Sequence, residues 1–423
     1  MTNVLFIYRG LQVGGIETFY CRMAEKYQRD RFKFSFLFMC EREDCDLELL
    51  ARLEHSADVF FYSDFISPTM ASVVKALPIP IKIFFGISPK AFDEFIGNTD
   101  IVHVTEGLGI LLAHHLFRNK QPRVKVNVGF YHQKEFSWGV EQNLPYFERM
   151  NRTALRSLNS KNLAFFNEGV ADKVCAETGH EIGEVNVFPL GVDIANEVRK
   201  HSFNVGERIR IISIGRLTNF KTYNLWMIDV VSELVRRGVD VTYDIYGRGD
   251  MEGEVINRLS LLDVPVKLKG TLNYSEFKNV AVEYDLFIGS GTAIIEASAL
   301  GIPAIIGIES IAEPMTYGYF SRVPGFTYNE KGLDLPLYEV VDMLENFVRL
   351  SLDEKLALGG EHFSKAKIFS MDACIQNFSK FCEGSVQLPI GKKFYNWYLY
   401  RFSYLLTSVI SKFFKTSYAE KYN

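Results

Sequence analysis

Two bases, Arg216 and Lys221, stand in "IISIGRLTNFKTYNLW", where an apolar run gives way to a polar turn and then to a helix-like segment. Fixed cations between a strand and a helix N-terminus are what a diphosphate needs, because they neutralise its charge where water is partly excluded. The same pair also reads as solvated loop bases, and spacing alone leaves both readings open. Three further turns offer comparable material. "YRGLQVGGIETF" places Gly14 and Gly15 before a helical segment, where backbone can approach a ligand and free N–H groups face an anion. A plain turn, with Glu17 as a helix-start acid, is the alternative there. "VTYDIYGRGDMEGE" ends a strand-like run at Gly247-x-Gly249, either a ligand loop or a turn with Asp250 as helix cap. "SGTAIIEASALGIPAI" leads from a Gly-rich turn into an apolar helix, with Glu296 expected in its first turn. An acid there either complements the helix dipole or reads a polar ligand at the mouth of a sheet.

The elements that must hold these turns are legible as short apolar runs alternating with amphipathic segments. Residues 4–8, 34–39, 59–62, 81–85, 101–104, 124–130 and 163–166 read as buried strands, with helical periodicity between them, as in 16–27 and 108–117. The alternation pauses over "EVNVFPLGVDIANEVRKHSFNVGER" and resumes with strands at 209–214, 241–246, 266–268, 286–288 and 302–306. Strands alternating with helices mean crossover connections and parallel sheets. The expected architecture is α/β: two doubly wound, Rossmann-like domains facing a cleft, followed by a helical tail. The expected boundaries are 1–186 for the first domain, 187–208 for a linker, 209–383 for the second domain and 384–423 for the tail. Two domains also suit a chain of 423 residues, too long for one core.

Composition narrows the function. With 48% hydrophobic and 23% charged residues the chain is an ordinary globular protein. A net charge of −4 gives no nucleic-acid footprint, and no nucleic-acid partner is expected. The six cysteines form no C-x-x-C and join no histidines at zinc-like spacing, so no metal site is expected. Asp44 and Asp46 make one Asp-x-Asp, but within the charged run "EREDCDLE", which reads as a solvated loop. Scattered thiols, no leader-like N-terminus and no long apolar stretch point to a cytosolic protein.

Taken in order, "GGIETF", "FPLGVDI", "IGRLTNFKTYN", "YGRGD" and "DLFIGSGTAIIEASALGIPAI" resemble the retaining nucleotide-sugar glycosyltransferases of family 4, which have the GT-B fold. The likeness covers residues 1 to about 383, weakly in the first half and strongly over 209–306. The resemblance implies a nucleotide-sugar donor as substrate and no required cofactor. Arg216 and Lys221 would hold the donor diphosphate and carry catalysis by stabilising the leaving group. Glu296 would accept hydrogen bonds from the ribose hydroxyls, and Gly14 and Gly15 would approach the phosphates from the other domain. His132, in "NVGFYHQKEF", would lie against the donor sugar; without the resemblance it reads as a loop histidine. His103 reads as structural. One departure matters: the family's E-x7-E pattern puts a first glutamate where this chain has Ile288, and the loop before Glu296 is short. Backbone N–H groups of Gly289, Ser290, Gly291 and Thr292 could substitute as an anion nest, with Gly247 completing the donor-binding set.

Three alternatives stand beside a retaining hexosyltransferase. A nucleotide-sugar epimerase shares the fold but needs acids placed for proton transfer. An inverting GT-B enzyme fits the short loop but needs a base, for which only His132 or Glu106 could serve. A catalytically inactive nucleotide-sugar-binding subunit of a polysaccharide assembly complex fits the missing glutamate. From Ser385 onward the chain holds six bases and one acid, which leaves a net −9 on the rest. Phe402, Leu405, Leu406, Val409, Ile410 and Phe413 recur there at helical spacing among many aromatics. Such a segment suits an anionic membrane surface, and its first part also suits a closing helix packed on the N-terminal domain. A peripheral place on the cytosolic membrane face would point to a lipid-linked glycan acceptor and to cell-surface polysaccharide synthesis.

Overall fold

The computed structural model describes residues 1–27, 31–66, 74–75, 77–82, 92, 94, 96–117, 124–131, 144–178, 186–194, 208–387 and 395–414. They divide into two compact units. One comprises Met1–Leu190 with Cys374–Asn423, the other Gly191–Ala373.

The first unit is built on a parallel sheet of β1 (Thr2–Tyr8), β2 (Phe32–Phe38), β3 (Asp58–Phe61), β4 (Ile101–Val104), β5 (Lys125–Phe130), β6 (Leu163–Phe165) and β7 (Asn186–Val187). The order is β3-β2-β1-β4-β5-β6-β7. Alternation along β1 sends Leu5 and Ile7 into a core with Leu37, Val102 and Val128. Phe6, on the opposite face, stacks on Phe36 and meets His103. Both faces are therefore covered, which is why these strands read as unbroken apolar runs.

The second unit repeats the scheme with β8 (Ile209–Ile214), β9 (Val241–Tyr246), β10 (Val266–Gly270), β11 (Leu286–Gly289) and β12 (Ala304–Ile306), in the order β10-β9-β8-β11-β12. Ile211, Tyr243, Ile288 and Ile305 pack on one face; Ile212, Phe287 and Ile306 pack on the other. A small antiparallel pair, β13 (Met315–Thr316) and β14 (Tyr338–Glu339), lies apart from the sheet.

Several elements differ from the sequence expectation. Of the run 81–85, the described part belongs to a helical turn, Ile79–Lys82, and 83–85 lie outside the described residues. Pro78 O accepts from Ile81 N at 2.8 Å and Lys82 N at 3.0 Å, while Pro80 sits where a first helical turn needs no N–H. The expected linker is split. β7 pairs with β6 in the first sheet, whereas Val192 exchanges backbone hydrogen bonds with Phe369 and Met371 of the second unit. Residues 195–207 are outside the described set.

The expected end of the second domain at 383 also moves, because from Cys374 onward the helix Met371–Gly384 belongs to the first unit. Phe378 meets Phe6, Phe34, His103 and Phe188 with ring centroids 5.4–5.9 Å apart. Cys382 O accepts from Lys125 Nζ at 3.0 Å. These contacts close one face of the first sheet.

Candidate functional site

The five-stranded sheet reverses its winding between β8 and β11, and loops at the carboxyl ends of strands flanking such a point form a natural ligand crevice. The loop after β8 is clamped to the loop after β9. Gly215 N donates to Tyr246 O at 2.9 Å, Leu217 N to Arg248 O at 2.9 Å, and Met251 N to Leu217 O at 3.1 Å. The approach is so close that a Cβ on Gly247 would lie 1.9 Å from Gly215 O, and one on Gly249 2.2 Å from Leu217 O. Gly247 thus serves loop packing first. Asp250 does not cap the next helix: Met251 is at the N-cap of Glu252–Leu261, with no side-chain cap bond.

Arg216 is exposed and Lys221 half-buried in this clamped loop. The side chain of neither is hydrogen-bonded or ion-paired to another described residue. Elsewhere in the unit Arg208, Arg210, Arg237 and Arg258 pair with Asp240, Asp285, Glu233 and Asp229. Two cations left unmatched on one edge of the sheet are available to an anionic ligand. Arg248, exposed and likewise unmatched on the adjoining loop, is a third that sequence reasoning passed over. Its signal was a base between two glycines that a strand end requires.

Ser290 alone joins β11 to the helix Gly291–Ser298. Ile288 is fully buried within β11, so counting back from Glu296 lands in the core, and no loop exists to carry a first glutamate. Glu296 itself lies in the second turn of that helix, whose first turn holds no acid. The first-turn expectation is corrected, and the dipole explanation loses its force, because that effect fades beyond the first turn. Instead Glu296 Oε1 accepts from Tyr274 Oη at 3.4 Å, an aromatic from the loop after β10.

The loop after β12 completes the edge with an acid the sequence reading missed. Glu309, 7% exposed, accepts from Ser290 Oγ at 3.0 Å beside the N-terminus of the Gly291–Ser298 helix. Ser310 adopts φ 60°, the left-handed region rarely used by residues other than glycine, and its N–H donates to Phe220 O at 2.7 Å. Gly291, at φ 62°, has its carbonyl held by Tyr328 Oη at 2.9 Å. Gly289 O accepts from Gly307 N at 2.8 Å. The structure therefore brings Arg216, Lys221, Gly247, Gly289, Ser290, Gly291, Thr292 and Glu296 to one edge of one sheet. Backbone strain and a buried carboxylate concentrate there, as expected where a scaffold over-determines a site.

In the first unit, Gly14 is the N-cap of the helix Gly15–Lys26. A Cβ on Gly14 would lie 2.3 Å from Glu17 Oε2, and Tyr8 Oη donates to Glu17 Oε1 at 3.4 Å. A carboxylate thus covers the N-terminus that was expected to face phosphate, and an anion could sit there only after Glu17 swings away. The matching switch point of this sheet, between β1 and β4, is occupied by Arg9 and Glu106. Arg9 Nε donates to both carboxylate oxygens of Glu106 at 2.8 Å. Both oxygens of that carboxylate are thus engaged by the guanidinium. His103 is fully buried, bonded through Nε2 to Tyr131 Oη at 2.7 Å, and burial pushes its pKa down to about 3. His132 lies outside the described residues. Asp46 and Asp44 are caps: Leu49 N donates to Asp46 Oδ1 at 3.0 Å, and Glu41 N to Asp44 Oδ2 at 3.2 Å. Among the described residues no group of three His, Cys, Asp or Glu is placed to hold a metal ion.

No family model matches the chain. No curated protein matches it by sequence either. Solved structures do resemble it. A glycosyltransferase from Rickettsia africae superposes with a TM-score of 0.61 at 15% identity, over 90% of this chain and 98% of that one. Anabaena HepE in complex with UDP-glucose gives 0.60 at 16% identity, over 90% and 99%. S. aureus TarM, in a mutant complex with fondaparinux, alpha-GlcNAc-glycerol and UDP, gives 0.61 at 11% identity, over 90% and 100%. At such identities the likeness establishes the fold, which is the GT-B fold of these glycosyltransferases.

Proposed function

We propose that this protein is a glycosyltransferase that moves a hexose-type sugar from a nucleotide-diphosphate donor to a glycan acceptor, with retention of anomeric configuration. What carries the reading is the pair of unmatched cations, Arg216 and Lys221, beside Glu296 and the Ser290–Gly291 helix start on one sheet edge. That set suits a nucleoside diphosphate. The bases neutralise phosphate charge, the free N–H groups of the helix start accept an anion, and a carboxylate takes two ribose hydroxyls at once. The neighbours HepE and TarM were crystallised with UDP-glucose and UDP, which makes uridine donors the first to try.

Retention follows in this proposal from a front-face route. The leaving diphosphate accepts the acceptor's proton on the face it departs from, so no side-chain nucleophile is required. Arg216 and Lys221 stabilise the departing charge, and the remaining advantage is positional. The pairing of Glu106 with Arg9 weighs against an inverting enzyme that would use Glu106 as base. The acceptor in this reading is a lipid-linked glycan of cell-surface polysaccharide synthesis, met at the cytoplasmic face of the membrane. His132, Gly14 and Gly15 remain part of the proposal as residues of the first unit.

A panel of nucleotide sugars tests the reading. A bound donor raises the melting temperature through RT ln(1 + [L]/Kd), and slow donor hydrolysis follows with the α-anomeric sugar released first, read by proton NMR. Binding without any turnover would favour the inactive-subunit alternative. No stabilisation by any nucleotide sugar would remove the donor-site assignment.

A further inference from the structure

We infer that the helix Trp397–Phe414 is a docking element for an anionic membrane surface, held against the first unit by one face and open on the other. The held face is aromatic. Trp397, Tyr400 and Tyr404 are buried, Tyr400 Oη donates to Asn151 Oδ1 at 3.0 Å, and Trp397 Nε1 donates to His115 Nδ1 at 3.2 Å. Phe147 N donates to Ser403 Oγ at 3.3 Å, and Asn396 Oδ1 accepts from the N–H groups of Tyr398 and Leu399 at the start of the helix. The helix is thus capped and anchored, so its outer face has a fixed direction relative to the unit that carries it.

On that outer face Leu399, Phe402, Leu405, Leu406, Val409 and Ile410 are all exposed, between 40% and 65%. At 3.6 residues per turn they fall within an arc of about 140°. Scattered apolar residues on a surface need no explanation, but a continuous stripe along one helix does. Among the described residues no helix is long and apolar enough to cross a bilayer, so the stripe would lie along a surface rather than span it. Charge selects the occupant. The segment from Ser385 onward holds six bases against one acid in a chain of net charge −4. A second copy packed helix on helix would bring two such basic segments together, whereas anionic headgroups complement them and the acyl boundary takes the apolar arc. Tyr398, within the arc and 81% exposed, has the amphipathic ring that suits the headgroup level. The inference rests on this helix and the bases of the terminal segment, and it stands or falls separately from the donor-site assignment.

Flotation of the full-length protein with vesicles of equal parts phosphatidylcholine and phosphatidylglycerol, and with pure phosphatidylcholine, tests it. The protein should float with the anionic vesicles and not with the neutral ones. Phe402→Ser, Leu406→Ser and Val409→Ser together remove surface groups only, and should lower partition more than about tenfold. Changing Lys392, Lys393, Lys412 and Lys415 to Gln should lower it about fivefold per base, and added salt should mimic that change. An unchanged thermal melt confirms that both variants stay folded. Wild-type protein that never floats overturns the inference. So does flotation that neither variant weakens, or self-association in solution that the Ser variant abolishes.

Discussion

The ammonium of Lys221 lies over Gly215: a Cβ built on that glycine would sit 3.1 Å from Nζ. The strand end is bare where the cation rests, so an anion approaching the carboxyl edge of β8 meets charge and open backbone together. Arg216→Ala and Lys221→Ala should each lower the transfer rate by a factor that corresponds to about 2–4 kcal/mol, with unchanged melting temperature. Steady-state rates on the identified donor check this, and near wild-type turnover in either variant would remove the diphosphate role.

Glu296→Gln should weaken binding of the free nucleoside diphosphate about tenfold or more, because charge-assisted hydrogen bonds are worth about 1.5–3 kcal/mol. Folding stability should barely change, since Glu296 lies beyond the first helical turn. Isothermal calorimetry beside a urea melt separates the two effects; lost stability with retained affinity would make Glu296 structural.

Gly247→Ala should damage both. The added Cβ would lie 1.9 Å from Gly215 O, which is backbone and cannot give way as a side-chain tip can. Overpacking of this kind costs about 1–3 kcal/mol. Donor affinity should fall along with stability, because the displaced strand end carries Arg216 and Lys221. A variant that binds donor normally at lowered stability would separate the clamp from the site.

Acid should destabilise the protein through two buried histidines. His362 accepts from Ala304 N through Nε2 at 2.9 Å, and burial pushes its pKa from 6.5 down to about 4; His103 falls to about 3. Folded pKa values below the unfolded value mean that the unfolded chain binds the proton first. Their contribution is therefore complete above pH 6.5 and is lost as pH falls toward 4. Each histidine contributes a slope of up to about 1.4 kcal/mol per pH unit in that window. Urea midpoints across the window should decline, and less steeply in His362→Gln.

The strands of both sheets were legible because burial on two faces leaves runs such as 4–8 and 286–288 with no charged or amide residue in them. The same logic misread the described start of the run 81–85, residues 81 and 82, since a short apolar run does not distinguish a strand from a buried helical turn. The glycines and bases at the carboxyl edge of the second sheet could be read from their place after strands. Glu309 could not, because its relevance comes from a contact with Ser290, nineteen positions earlier in the chain. Counting back from Glu296 to Ile288 assumed a loop where the chain has only Ser290. The stripe on the terminal helix showed in its spacing, but which ring faced inward depended on Asn151 and His115, far away in sequence.

One face of the first unit's sheet is covered by residues far downstream in the chain, from Cys374 onward. Met1–Leu190 emerges with one face of β1 and β2, including Phe6 and Phe34, waiting for Phe378. The contiguous stretch Gly191–Ala373 is synthesised meanwhile and needs nothing beyond itself to close its core. In synthesis the stretch Gly191–Ala373 is therefore complete before the residues that cover Phe6 and Phe34 are made. A nonsense codon just before Cys374 would release a chain whose Phe6 and Phe34 lack their cover, so premature termination there should yield aggregates rather than soluble protein.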